Sequence, residues 1–248
     1  MPTDYKHIKK QFEKSMNDYD KNATVQDLMA SKMIIELNKI SNNFDTILEL
    51  GAGTGLLTKR IAKNIKFSNY YANDLIEKSK HYIQKVIPDA MFFAGNALKI
   101  KTPRKADLII SNAMFQWFEN LEKTIEILKL SLDKNGVLAF STFTPDNFKE
   151  IKELTGLTLK YKSEDEIKEI LNRQGFEILY CESFYEEIKF NTPLELLAHM
   201  KNTGVNSLAE ETWTVKKIKD FCDKFNKKYP QTKLTYSPII VICRGKYE

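Results

Sequence analysis

The chain has 248 residues, 42% hydrophobic and 29% charged, with a net charge of +5, and this length fits one α/β domain with additions that buries about three quarters of its unfolded surface. Its three cysteines (Cys181, Cys222, Cys243) and three histidines (His7, His81, His199) are scattered, with no C-x-x-C pair, which argues against a zinc site, another metal centre or a disulfide framework. The amino terminus is charged, without an apolar h-region, and no apolar run reaches the length of a membrane span, so a soluble, cytoplasmic protein is expected.

Phe12 and Met16 stand one helical turn apart with Tyr19 close behind, and Val25 to Ile40 continues as a second apolar-rich helix. Residues 1–43 therefore read as two helices ahead of a sheet. From Thr46 the rhythm changes to short apolar strands alternating with helices, the sign of parallel βαβ units. The spacing predicts strands at Thr46 to Leu50, Asn69 to Asn73, Ala90 to Phe93, Ala106 to Ser111 and Gly136 to Phe143. Leu56 to Lys63 reads as the first turns of a helix, Glu77 to Val86 and Leu121 to Leu132 are the clearest helices between the strands, and Asp133-Lys134-Asn135-Gly136 reads as a turn into the fifth strand. These elements make residues 44–145 the core of an open, mostly parallel sheet with helices on both faces.

Beyond Pro145 the alternation loosens, and residues 146–248 read as a second half of the same domain. A helix is expected over Ser163 to Arg173, opened by a capping-box pattern at Ser163 and Glu166. A long strand over Phe176 to Phe190 follows, then helices near Pro193 to Asn202 and Thr214 to Lys228, and a last strand over Leu234 to Arg244. The last helix segment is basic: Trp213 to Lys233 holds seven lysines against Asp220 and Asp223, with Val215, Ile218, Phe221 and Phe225 on the expected inner face. Arg60, Arg104, Arg173 and Arg244 are the only arginines. Specific nucleic-acid readers lean on arginine's planar fork, so no nucleic-acid partner is expected.

Chemistry concentrates where strands end. The run Glu49-Leu50-Gly51-Ala52-Gly53-Thr54-Gly55 leads from the first strand into a helix, with a glycine at every second position. Glycines permit a sharp turn and a close backbone approach to a ligand. A dinucleotide fingerprint needs Gly or Ala where Leu56 stands, and no phosphate-binding Gly-Lys-Ser/Thr run occurs. The pattern E-x-G-x-G-x-G instead resembles motif I of class I S-adenosyl-L-methionine (SAM)-dependent methyltransferases, which release S-adenosyl-L-homocysteine. That resemblance implies a Rossmann-like, seven-stranded fold and cofactor contacts from Glu49, Gly51, Ala52, Gly53 and Gly55.

Asp74 follows the second strand about twenty residues past the glycines, where a carboxylate accepts from both ribose hydroxyls; a helix N-cap is a compatible reading. Leu75 is its neighbour at the cofactor. Gly95-Asn96-Ala97 follows the third strand, where this class usually has Gly-Asp-Ala to hold the adenine amino group; Asn96 still offers a carbonyl acceptor, without the charge. After the fourth strand comes Ser111-Asn112-Ala113-Met114-Phe115-Gln116-Trp117. It lacks the two prolines that shape the slot of base-modifying enzymes. Asn112 is expected to border the methionine half of the cofactor, with Gln116 and Trp117 over the transferred methyl.

Several segments together resemble the malonyl-acyl-carrier-protein O-methyltransferase family of biotin synthesis (BioC). They are Phe12, Tyr19-Asp20, Ala23 and Gln26; Ser111-Asn112 with Gln116-Trp117; Phe140-Ser141-Thr142-Phe143; Leu196-Leu197 with Met200-Lys201 and Thr203-Gly204-Val205-Asn206; and Leu234-Thr235-Tyr236. The chain departs from that pattern at Asn96 and at Ala52, where cysteine is common. The resemblance implies methyl transfer from SAM to the free carboxylate of a malonyl thioester on an acidic acyl carrier protein, without a metal. Tyr19, Gln116 and Trp117 would orient the carboxylate and the methyl, and Phe12, Gln26 and Phe143 would wall the substrate. A carboxylate with a pKa of about 4 is already ionised at neutral pH, so no general base is expected. A trans-aconitate-type carboxyl methyltransferase and a SAM-binding scaffold protein are the rival readings.

Overall fold

The computed structural model describes residues 5–203 and 213–246. Two helices, α1 (Tyr5–Asn22) and α2 (Thr24–Ile40), precede the sheet. The alternating core follows: β1 (Thr46–Leu50), α3 (Leu56–Asn64), β2 (Asn69–Asp74), α4 (Ser79–Val86), β3 (Met91–Ala94) and β4 (Ala106–Ser111). A short 3₁₀ turn (Phe115–Trp117) leads to α5 (Leu121–Ser131) and β5 (Leu132–Phe143). The remaining elements are α6 (Lys149–Thr155), α7 (Glu164–Arg173), β6 (Phe176–Ser183), β7 (Glu186–Lys189), α8 (Pro193–Asn202), α9 (Val215–Lys228), β8 (Lys233–Tyr236) and β9 (Pro238–Gly245).

Seven strands form one sheet in the order β3-β2-β1-β4-β5-β9-β6. β1 to β5 run parallel, and β9 is antiparallel to both β5 and β6. The mostly parallel seven-stranded sheet expected from the sequence is therefore present. Strand order reverses between β1 and β4, so the loops at their carboxyl ends diverge and leave a crevice there.

Side-chain alternation divides the core. Ile47 of β1 packs toward α2 and α3, whereas Leu48 and Leu50 join Phe140, Ile125 and Ile167 on the other face. Each fully buried aliphatic side chain of this kind contributes ~1.5–3 kcal/mol. A third cluster lies beside the sheet, where Met29 of α2 meets Phe143, Leu196, Phe225 and Tyr236. It ties the amino-terminal helices to the carboxy-terminal half. α1 and α2 are also latched to the glycine loop and α3: Thr54 Oγ1 and Lys59 Nζ donate to Asp20, and the Arg60 guanidinium donates to both oxygens of Asp27.

The two long strands expected near the carboxyl end are each broken. Phe176 to Phe190 divides into β6 and β7, and Leu234 to Arg244 into β8 and β9; β7 and β8 pair antiparallel as a separate two-stranded sheet. The second break falls at Ser237, whose N–H is taken by Asn147 Oδ1 (3.1 Å) and whose successor Pro238 has no N–H to give a ladder. Helix α6 was not expected. β5 begins earlier than expected and absorbs the Asp133 to Gly136 turn as an irregularity, with Asn135 at φ 62°. The capping box of α7 is formed as the sequence reads, with Glu166 N donating to Ser163 Oγ and Ser163 N to Glu166 Oε2. On α9, Phe221 and Phe225 are buried as expected, but Val215, in its first turn, is 85% exposed. Gly204, Val205 and Asn206 lie outside the described residues.

Candidate active site

The glycine loop sits at the carboxyl end of β1, with Gly51, Gly53 and Gly55 at φ 68°, 53° and 78°. Three left-handed residues at alternate positions are what a non-glycine chain resists. At Gly51 a Cβ would stand 2.7 Å from Met114 Cγ, so the loop after β4 can close on it only because that atom is missing. At Gly53 the same construction meets nothing nearer than a backbone oxygen at 4.0 Å, and its open side faces the cleft.

Asp74 organises this turn. Gly53 N donates to its Oδ2 and Ile76 N to its Oδ1, both at 2.8 Å. Burial raises its pKa, and the two backbone amides oppose the rise. It does not cap α4, whose N-cap position is Lys78; it holds the β1 and β2 loops in register. Lys9 of α1, which the sequence reading passed over, also lines the cleft, and its charge acts on Asp74.

A cleft of about 1100 Å³, its open mouth included, runs across these strand ends. Of the expected cofactor contacts, Gly51, Ala52, Gly53, Asp74, Leu75, Asn96, Ala97 and Asn112 all line it. Glu49 and Gly55 do not. Alternation along β1 turns Glu49 under α3, where Thr58 Oγ1 (2.6 Å) and Tyr70 OH donate to its carboxyl; burial pushes its pKa up to about 7. Gly55 instead turns the chain into α3. Asn96 Oδ1 accepts from Leu98 N (2.9 Å) and keeps a second lone pair. Asn112 is committed at both ends, donating to the Gln26 carbonyl (2.9 Å) and accepting from Ser141 Oγ (2.6 Å).

A second, smaller chamber abuts the cleft. Phe12, Tyr19, Gln26, Ala113 and Trp117 line both, so a group held in one faces a group held in the other across this shared wall. Phe12 packs edge-on against Trp117, with ring centroids 6.0 Å apart. Gln26 is only 4% exposed, and its Oε1 has no protein donor among the described residues. An orphan acceptor at such depth is costly unless a ligand supplies the missing donor. Gln116 belongs to the second chamber alone, held by a bond to the Ala113 carbonyl (2.6 Å) and a longer one from Thr142 Oγ1 (3.4 Å). Phe143 lines the second chamber as expected.

Sequence reasoning missed Asn147, Phe148, Leu159 and Tyr161, which complete this chamber with Thr203 and Tyr236. They come from irregular segments around α6 that carry no periodic signal. Among the described residues the lining includes no Lys, Arg, His, Asp or Glu. Burial raises the pKa values of Tyr19, Tyr161 and Tyr236 above the ordinary phenol range, so all three keep their hydrogens at neutral pH. Behind Tyr236, His199 Nε2 lies 2.7 Å from its hydroxyl, and burial lowers the His199 pKa to about 4, leaving it neutral. The chamber is thus a small, uncharged box of hydrogen-bonding groups and aromatic walls. Such a box suits a small polar or anionic group presented to a larger ligand in the cleft.

A methyltransferase-domain family profile matches residues 22–180. The chain is 33% identical to a malonyl-(acyl-carrier protein) O-methyltransferase of Haemophilus influenzae, with 97% of this chain and 95% of that protein aligned. It is 36% identical to the protein of the same name from Calditerrivibrio nitroreducens, with 97% of each aligned. Among solved structures it resembles a putative methyltransferase of Bacillus halodurans (TM-score 0.63, 15% identity, 88% of this chain and 100% of that one). It also resembles the N-methyltransferase NodS of Bradyrhizobium japonicum in complex with S-adenosyl-L-homocysteine (TM-score 0.61, 12% identity, 97% of this chain and 100% of that one). At these identities the two structures establish a shared fold.

Proposed function

The chain belongs to the malonyl-(acyl-carrier protein) O-methyltransferase family, and we propose that its two chambers divide that reaction between them, SAM in the glycine-loop cleft and a malonyl carboxylate in the smaller box. The observation that carries this reading is the shared wall: Tyr19, Gln26 and Trp117 face both spaces at once. The product is the methyl ester of a malonyl thioester, an early step of biotin synthesis.

The residues present fit the cofactor. Gln26 Oε1 is a buried acceptor awaiting a donor, such as the amino group of a methionine moiety, and the backbone at Gly53 is open to close approach. Asp74 would hold the ribose hydroxyls, Asn96 the adenine amino group, and Asn112 with Gln26 would border the methionine half. When bound, SAM supplies an electrophilic methyl on a sulfonium.

The chain's own contribution is alignment and exclusion of water. The substrate carboxylate is ionised at neutral pH, so no proton has to be removed. Tyr19, Gln116 and Trp117 orient it; Phe12 and Phe143 screen it. Holding nucleophile and electrophile in line is worth up to ~7–11 kcal/mol. Neutral donors suit this task better than an arginine clamp, because the carboxylate's charge fades in the transition state and a strong ion pair would stabilise the ground state more. The carrier would be an acidic acyl carrier protein, met by the basic α9.

Incubating the protein with SAM and, separately, malonyl-carrier protein, malonyl-coenzyme A, trans-aconitate and RNA tests this. The expected result is a base-labile methyl ester, seen by mass spectrometry, on the malonyl thioesters alone. Ester on trans-aconitate alone would move the assignment to a small-acid enzyme, and no methylation of any substrate would favour a scaffold.

A further inference from the structure

The second chamber contains a hydrogen-bond relay whose direction is fixed by the backbone. Ser237 N–H is a donor only, so the atom of Asn147 facing it at 3.1 Å is the carbonyl Oδ1. That orientation commits Nδ2 to the other side, where it donates to Tyr161 Oη at 3.0 Å. The phenolic oxygen therefore accepts, and its own hydrogen has to go elsewhere. Among the described residues no protein acceptor receives it. Asn147 is 1% exposed, and Tyr161 is braced edge-on against Phe143, with centroids 6.3 Å apart. Both line the second chamber.

Tyr19 and Trp117 line the same space, and each carries a side-chain donor, a hydroxyl and an indole N–H, that has no protein acceptor among the described residues. Three donors without acceptors, in a box lined by no described cation, describe a receptor for an anion with several lone pairs. A carboxylate offers about four such sites.

We propose that Tyr161 donates a hydrogen bond to the substrate carboxylate, and that Asn147 is a positioning residue that aims this donor by supplying a bond from behind. This rests on the reading of the second chamber as the malonyl site. Because the carboxylate loses charge as the reaction proceeds, the bond is stronger in the bound substrate than in the transition state. Its loss therefore shows in KM more than in kcat.

The test is steady-state kinetics with malonyl-carrier protein, together with calorimetry of S-adenosyl-L-homocysteine binding. Tyr161→Phe removes one oxygen and is expected to raise KM for the malonyl thioester about tenfold to a hundredfold, with kcat and homocysteine-product affinity within about threefold of wild type. Asn147→Asp keeps the acceptor for Ser237 N–H but sets a second acceptor against Tyr161, turning the phenolic hydrogen away from the chamber. It should raise KM in the same direction and add little in the Tyr161→Phe background. An unmoved KM in Tyr161→Phe, fully additive effects in the double variant, or loss of homocysteine-product affinity would each overturn the assignment. Wild-type protein that methylates no malonyl thioester would remove the parent reading as well, whereas wild-type turnover with an unmoved KM removes only the role of Tyr161.

Discussion

Trp117 stands where the two chambers meet, held by the 3₁₀ turn after β4 and packed against Phe12. It lines both the glycine-loop cleft and the second chamber, and the proposed function gives its indole the task of orienting the substrate. Trp117→Ala is expected to leave SAM affinity within a few fold and to lower kcat on the order of a hundredfold, the cost of misplacing reacting atoms by about an ångström. Calorimetry and single-turnover kinetics check the two halves; equal losses in both would assign the indole to cofactor binding. Glu49 makes a different prediction. Its folded pKa of about 7 lies above that of an ordinary carboxyl, so the folded state binds its proton more tightly than the unfolded chain does. The associated stability is fully present below about pH 4.5 and is lost as pH rises through about 7, by roughly 3 kcal/mol. Glu49→Gln should flatten the stability change between pH 5 and 8 in urea titrations, and an unchanged slope would place the pH dependence elsewhere. Asp74, Ala97 and Gln116 were singled out in the sequence because motif and strand end coincide at each, and they line the cleft or the second chamber. Glu49 was misread as a cofactor contact because its place in the motif said nothing about which face of β1 it takes.

Among the elements, the glycine loop with α3 and the strands β1 and β4 were placed by short apolar runs bounded by turn signals. The two carboxy-terminal strands were not. A run such as Leu234 to Arg244 is β-prone on both sides of Pro238, and the capture of Ser237 N–H by Asn147, 90 residues earlier, divides it together with that proline. That break sends β8 to a second sheet and delivers Tyr236 to the second chamber. Helix α9 turns Phe221 and Phe225 inward and leaves Lys216, Lys219, Lys224 and Lys227 exposed, a surface suited to an acidic carrier. Reversing charge at Lys216 and Lys217 together should raise KM for malonyl-carrier protein roughly tenfold and leave malonyl-coenzyme A turnover nearly unchanged. Added salt should reproduce the effect on the wild-type protein. Equal effects on both thioesters, or none, would move docking to another face.

For the whole molecule, the glycine-loop cleft is closed on one side by α1 and α2, which are joined to the glycine loop and α3 through Asp20 and Asp27. A ligand that fills the cleft therefore bridges the amino-terminal helices and the sheet. Product S-adenosyl-L-homocysteine at a hundred times its Kd should stabilise the fold by about 2.7 kcal/mol, a rise in Tm of about 5–10 °C for a chain of this size. A dinucleotide at the same concentration should leave Tm unmoved; the reverse pattern would overturn the cofactor assignment. The sequence by itself determined the alternating core, the glycine loop and the family likeness, because these depend on local periodicity and on residues adjacent in the chain. Only the tertiary structure decided that Asn147, Tyr161 and Tyr236 join Gln26 and Trp117 in one neighbourhood, that Glu49 does not belong to it, and that the broken last strand supplies part of its far wall. Those outcomes rest on contacts between residues tens of positions apart, where each partner's geometry is set by the packing of the others.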